Sequence, residues 1–73
     1  MEPKYWLSKP PAQCDLCKSF IEDVFIDGRT KYGPWGIMCE SCHDLFGVGL
    51  GEGNGQKYQR VAGEPRQYLK VAG

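Results

Sequence analysis

Four cysteines constrain this chain more than any other feature: Cys14-Asp15-Leu16-Cys17 and Cys39-Glu40-Ser41-Cys42, 21 residues apart, contain every cysteine of the 73 residues. Two residues between paired cysteines allow a tight turn that aims both sulfurs at one point. Two such turns supply the four thiolates of a closed tetrahedral site. The spacing predicts that Cys14, Cys17, Cys39 and Cys42 together hold one Zn²⁺.

Other uses of the cysteines fit less well. Two disulfides need an oxidising compartment, yet the first eleven residues carry charges and prolines where an apolar secretory segment would lie. A redox CxxC of the thioredoxin kind needs a surrounding βαβ pattern and would not come as a pair. Cys39 to His43 matches the C-x-x-C-H string of haem attachment, but that use leaves Cys14 and Cys17 idle. Iron in a rubredoxin-like site takes the same four ligands, and sequence separates it poorly from zinc. His43 reads as a helix residue beside the site, not as a ligand, because structural zinc sites are full with four donors.

Length makes a metal useful. A chain of this size builds one small core, which rarely supplies more than a few kcal/mol of net stability. Structural zinc adds on the order of 10–16 kcal/mol of apparent binding free energy, which is also folding free energy. The metal-free chain is therefore expected to be largely unfolded. The net formal charge is zero, giving no bulk electrostatic case for nucleic acid or an anionic membrane. The charge is unevenly spread, however: residues 57–73 have Lys57, Arg60, Arg66 and Lys70 against Glu64, net +3, leaving −3 on residues 1–56. No apolar run is long enough to span a bilayer, and a soluble, cytosolic protein is expected.

In chain order, residues 1–13 form an extended N-terminal segment, because Pro10-Pro11 forbids a helix running into the first cysteine turn. Its Tyr5, Trp6 and Leu7 serve either as a flap over the core or as an exposed contact for a partner. Residues 14–47 are the four-cysteine zinc module. Residues 20–26 are rich in β-branched and aromatic side chains and predict a strand, Asp27-Gly28 predicts the hairpin turn, and Arg29 to Tyr32 the return strand. Trp35 is expected as a core anchor beneath the metal. A short helix should start at the second cysteine turn, with Leu45 and Phe46 facing the core and Gly47 as a left-handed stop. Knuckle, β-hairpin, then knuckle plus short helix is the layout of a treble-clef, zinc-finger-like fold, closest by spacing to GATA-type modules.

Residues 48–56 continue a run with glycine at every second position from Gly47 to Gly55. It fits neither phosphate-binding glycine motif, and reads as a flexible linker or as an extended segment that another group can approach closely. Residues 57–73, interrupted by Gly63 and Pro65, predict a flexible basic tail that orders on binding, with Lys57, Arg60, Arg66 and Lys70 as candidate nucleic-acid contacts.

The combination of Cys-Asp-Leu-Cys, Phe25-Ile26-Asp27-Gly28, Gly33-Pro34-Trp35-Gly36, Met38-Cys39-Glu40-Ser41-Cys42 and the glycine run through Gln56 and Tyr58 resembles small four-cysteine zinc-binding proteins encoded by tailed bacteriophages. Over residues 14–58, with its length and termini, the chain looks like the transcription regulators of that group of the Xanthomonas-phage type. The resemblance implies a protein of the bacterial host cytoplasm that binds host RNA polymerase, inhibits initiation and promotes antitermination. A closed site of four cysteines has no open coordination position, and there is one histidine and no Ser/His/Asp set, so a non-enzymatic binding protein is expected. The alternatives are a zinc module that binds DNA or RNA directly and, more remotely, an HNH-like nuclease with His43 as general base.

Overall fold

The computed structural model describes residues 3–73, so the first two residues of the N-terminal segment lie outside the described residues. Strand β1 (Val24–Arg29) pairs with β2 (Trp35–Met38), helix α1 (Glu40–Phe46) follows, and β3 (Gly55–Arg60) and β4 (Tyr68–Ala72) complete a four-stranded sheet. The order is β2-β1-β3-β4, and each pairing is antiparallel. The described residues are thus mostly β-sheet with one short helix, and β1 is paired on both of its edges.

Alternation along β1 sets the two sides of the sheet. Ile26 joins Cys14, Met38 and Cys42 in one buried cluster, with Ile21, Val24, Cys39 and Phe46 packed against it. Phe25 joins Tyr58 and Tyr68 in a second cluster, covered by Trp6, Ile21 and Ile37. Neighbouring side chains on a strand point to opposite faces, so one strand serves two cores.

Several sequence expectations need correction. The hairpin does not turn at Asp27-Gly28. Both residues lie within β1, and the chain reverses between Thr30 and Pro34, where Thr30 N–H donates to the Pro34 carbonyl (2.9 Å) and Gly33 takes φ 108°. Arg29 therefore ends β1, and the return strand begins at Trp35. Gly28 has another role: it pairs with Gly55 across β1 and β3, and a Cβ on it would stand 2.9 Å from the Asn54 carbonyl oxygen. The predicted strand also starts late, since Phe20 forms an isolated bridge with Gln13 and is largely exposed.

The basic tail is built into the sheet. Residues 57–73 form most of β3 and all of β4, and Tyr58 and Tyr68 are core residues. Few apolar residues mark this stretch, yet each strand contributes one buried tyrosine to a cluster built on Phe25, which is distant in sequence. Such a pairing leaves no local pattern. The sheet continues past β4: Trp6 N–H donates to the Tyr68 carbonyl (2.9 Å) and Lys70 N–H to the Lys4 carbonyl (2.8 Å), with Tyr5 bridged to Leu69. The N-terminal segment thereby covers that edge.

The glycine run is neither a linker nor a flat extended segment. Gly49, Gly51 and Gly53 all have positive φ, and Gly51 and Gly55 close a turn through reciprocal backbone hydrogen bonds of 2.8 and 2.9 Å. No helix among the described residues is long and apolar enough to cross a membrane.

Candidate metal centre

Two local devices bring the four cysteines together. At the first, Lys18 N–H donates to the Cys14 carbonyl (3.0 Å) and Lys18 takes a left-handed φ of 65°, closing the turn that carries Cys14 and Cys17. Cys14 N–H donates to the Ser19 carbonyl and Ile21 N–H to the Ala12 carbonyl, so the loop is held as a small ladder. At the second, Cys39 precedes α1 and Cys42 lies in its first turn, which directs both sulfurs to the same side.

Asp15 locks the first turn to the sheet. Its N–H donates to the Ile37 carbonyl and its Oδ2 accepts from Ile37 N–H, both at 2.8 Å, along the free edge of β2. Gly36 makes room, since a Cβ there would stand 3.3 Å from Asp15 Oδ2. This occupies an edge that would otherwise be open to pairing with another chain. The sequence reading missed it, and its only trace was an acidic residue inside the first CxxC and a glycine just before the second.

The sulfurs of Cys14, Cys17, Cys39 and Cys42 all lie within 4.8 Å of one another. Those of Cys17 and Cys39 are 3.7 Å apart. A tetrahedral ion with metal–sulfur bonds of about 2.3 Å spaces its ligands by about 3.8 Å, so the cage has the right size. The chemistry of the donors agrees. Burial pushes the Cys14 thiol up, but backbone hydrogen bonds from Cys17, Cys39 and Leu16 outweigh it and leave the pKa below its ordinary value. The side chain and then the backbone of Ser19 bring the Cys17 thiol down to about 6. Burial raises Cys39, and burial followed by the three neighbouring thiols raises Cys42 strongly. Four thiols this close cannot all ionise unless a cation offsets their mutual repulsion. The four residues fit a metal ion that supplies that charge.

The expected surroundings of the site change in detail. Trp35 does not lie beneath the metal: it is 50% exposed on the other face, where its indole N–H donates to Asp27 Oδ1 at 2.6 Å. Ile26 and Met38 fill the space instead, because β2 pairs them directly across the hairpin. Leu45 is 62% exposed, while Phe46 packs against the cluster, as a seven-residue helix can turn only one stripe inward. Gly47 has φ −82° and ψ 166°, an extended and not a left-handed stop. Its missing side chain matters because a Cβ would run into the His43 ring and come within 2.7 Å of the His43 carbonyl oxygen. His43 Nε2 lies 2.9 Å from the Gly49 carbonyl oxygen, tying helix to glycine turn, and His43 is not among the clustered ligands.

Of the candidate partner residues, Trp6 is a flap: its ring meets Phe25 and Tyr58 edge-on, at centroid distances of 5.2 and 5.3 Å. Tyr5 is partly exposed and Leu7 is 96% exposed. Lys4, Tyr5, Trp6, Leu7, Ser8 and Tyr58 line an open depression of about 480 Å³. Two of the four tail cations are engaged within the fold: Lys57 pairs with Glu40 of α1 (3.0 Å), and Arg60 with Asp23 (3.2 Å) and the Glu22 carbonyl (3.0 Å). Arg66 lies exposed in the β3–β4 turn, and Lys70 is half-buried on β4. Comparison of the chain with protein-family models, with curated proteins and with solved structures finds no match.

Proposed function

We propose that the chain is a non-enzymatic, zinc-stabilised regulator that docks on bacterial RNA polymerase in the host cytoplasm, inhibiting initiation and promoting antitermination. The polymerase and the phage origin come from the resemblance of residues 14–58. The observation that carries the binding role is the N-terminal segment: the sheet edge and the Trp6 contacts hold it in place while Leu7 and part of Tyr5 face solvent. A rigid segment presenting apolar side chains binds with little ordering cost, and aromatic residues dominate interface hot spots. Zinc is the ion we assign, since four thiolates leave it no open position and suit a structural role. In this reading the first cysteine turn, the β1–β2 hairpin and α1 are a treble clef, extended by β3 and β4.

The internal pairing of Lys57 and Arg60 weighs against direct nucleic-acid binding as the main activity. Neutralising Z phosphates gives log K a slope of roughly −0.9Z in log salt, and the tail has few uncommitted cations for that purpose. Arg66 and Lys70 remain as auxiliary contacts to nascent RNA or DNA. The test is co-purification with polymerase at moderate salt. Leu7→Ala and Tyr5→Ala should weaken association without lowering the unfolding temperature, whereas Arg66→Ala with Lys70→Ala should leave it largely intact. The opposite pattern refutes the assignment, and nanomolar binding of DNA without polymerase binding replaces it with the nucleic-acid module.

A further inference from the structure

The four cysteines differ in exposure. Cys14 and Cys42 are buried, Cys39 is half-buried and Cys17 is exposed. Cys17 and Cys39 therefore form the outer edge of the cage, and their sulfurs touch at 3.7 Å. Cys14 is fully buried and packs against Ile26 and Met38. Cys42 sits in α1, packed on the same cluster. Ser19 Oγ is 3.3 Å from Cys17 Sγ.

We propose that Cys17 and Cys39 are an oxidative modification site: a two-electron oxidant of the peroxide class joins them as a disulfide and so releases the metal, with Cys14 and Cys42 left to react last. The inference rests on the metal-site reading above. The Cys17 thiolate, the most accessible nucleophile of the four, attacks one oxygen of hydrogen peroxide. The O–O bond breaks, hydroxide leaves and Cys17 becomes a sulfenic acid. The Cys39 thiolate then attacks that sulfur, the S–O bond breaks and a second hydroxide leaves. The two sulfurs have given up two electrons, peroxide has become two waters once protons are taken up, and the ion departs still divalent. Only two buried thiolates remain, too few to hold it. Disulfides within either CxxC turn are disfavoured as first products, because each would need one of the buried sulfurs to leave its packed position. The consequence is selective: the outer edge opens first, on the face of the sheet opposite the Phe25–Tyr58–Tyr68 cluster.

The test uses the zinc-loaded full chain. Zinc content is measured first, then hydrogen peroxide is added, released zinc is followed with a chromogenic chelator, and disulfides are mapped by peptide mass spectrometry. Zinc release with Cys17–Cys39 as the dominant first linkage is expected. In a parallel experiment without oxidant, limiting N-ethylmaleimide should label Cys17 and Cys39 about tenfold faster than Cys14 and Cys42, as thiolate access dictates. Cys17→His keeps four donors and should slow peroxide-driven release several-fold. Protein that contains no metal overturns both the metal reading and this inference. Metal-loaded protein that first forms Cys14–Cys17 or Cys39–Cys42, or labels all four cysteines at one rate, overturns the inference alone. The wild-type mapping decides the matter even where the histidine variant does not fold.

Discussion

On one face of β1, Ile26 packs with Cys14 and Cys42; one residue earlier, on the other face, Phe25 stacks on Tyr58 at 5.2 Å and meets Tyr68 at 5.1 Å. The two cores are held by different forces. The metal-side cluster contains two aliphatic or thioether side chains and two cysteines. Its side-chain area is small, and without an ion it gathers thiols that repel one another as they ionise. The aromatic side is conventional: large rings, edge and stacked contacts each worth about 0.5–1.5 kcal/mol beyond their burial, and no charge. If the cage holds an ion as proposed, one core is conditional on a ligand and the other is not. They cannot separate completely, since they share the backbone of β1 and β2.

The largest expected effect breaks this comparison from the metal side. Excess chelator, or Cys39→Ser, should abolish the cooperative thermal transition, since the apparent binding free energy at stake is on the order of 10 kcal/mol or more. Near-UV circular dichroism of Tyr58, Tyr68 and Trp6 reads whether the aromatic core goes with it. A native-like aromatic spectrum in chelator would mean that the second core stands alone and that its coupling through β1 is weak.

Phe25→Ala attacks the other side and should cost about 3–5 kcal/mol in denaturant unfolding with zinc still bound below the midpoint. Loss of zinc in native conditions would show that the aromatic core supports the cage more than the cage supports it.

Acid sharpens the difference, since protons compete with a metal ion for the sulfurs of only one core. Each metal-bound sulfur must be deprotonated, so protons compete with the ion, most strongly at Cys39 and Cys42 with their raised pKa values. The Cys17 pKa is lowered, so its contribution to stability is complete above the ordinary thiol value of 9.0 and lost as pH falls through about 6. Zinc release and unfolding should therefore track each other on acidification, followed by chelator absorbance and circular dichroism, and Ser19→Ala should move both to higher pH. Unfolding that precedes release would place the acid-sensitive step elsewhere.

The smallest effect concerns Lys18, whose left-handed φ of 65° costs an ordinary residue about 1–2 kcal/mol. Lys18→Gly relieves that but frees the unfolded chain, so a gain of no more than about 1 kcal/mol is expected in thermal unfolding of the zinc-loaded protein. A loss would mean that the Lys18 side chain supports the turn.

Sequence spacing alone determined the cage, because a CxxC turn is a local device: two residues between the sulfurs dictate the geometry whatever surrounds them, and the structure brings Cys14, Cys17, Cys39 and Cys42 within 4.8 Å. The short helix after Cys39 was legible for the same reason. What only the tertiary structure decided was how the rest of the chain pairs. Asp27-Gly28 has the composition of a turn, but Gly28 is needed where the backbones of β1 and β3 meet, opposite Gly55, and the turn falls instead at Gly33. Trp35 has the area of a core anchor, yet on β2 it alternates out of phase with Met38, the partner of Ile26, and so faces the other way. Residues 57–73 look like a solvated tail because β-sheet stability comes from cross-strand partners, and Tyr58 and Tyr68 become core residues only once Phe25 and Trp6 are beside them.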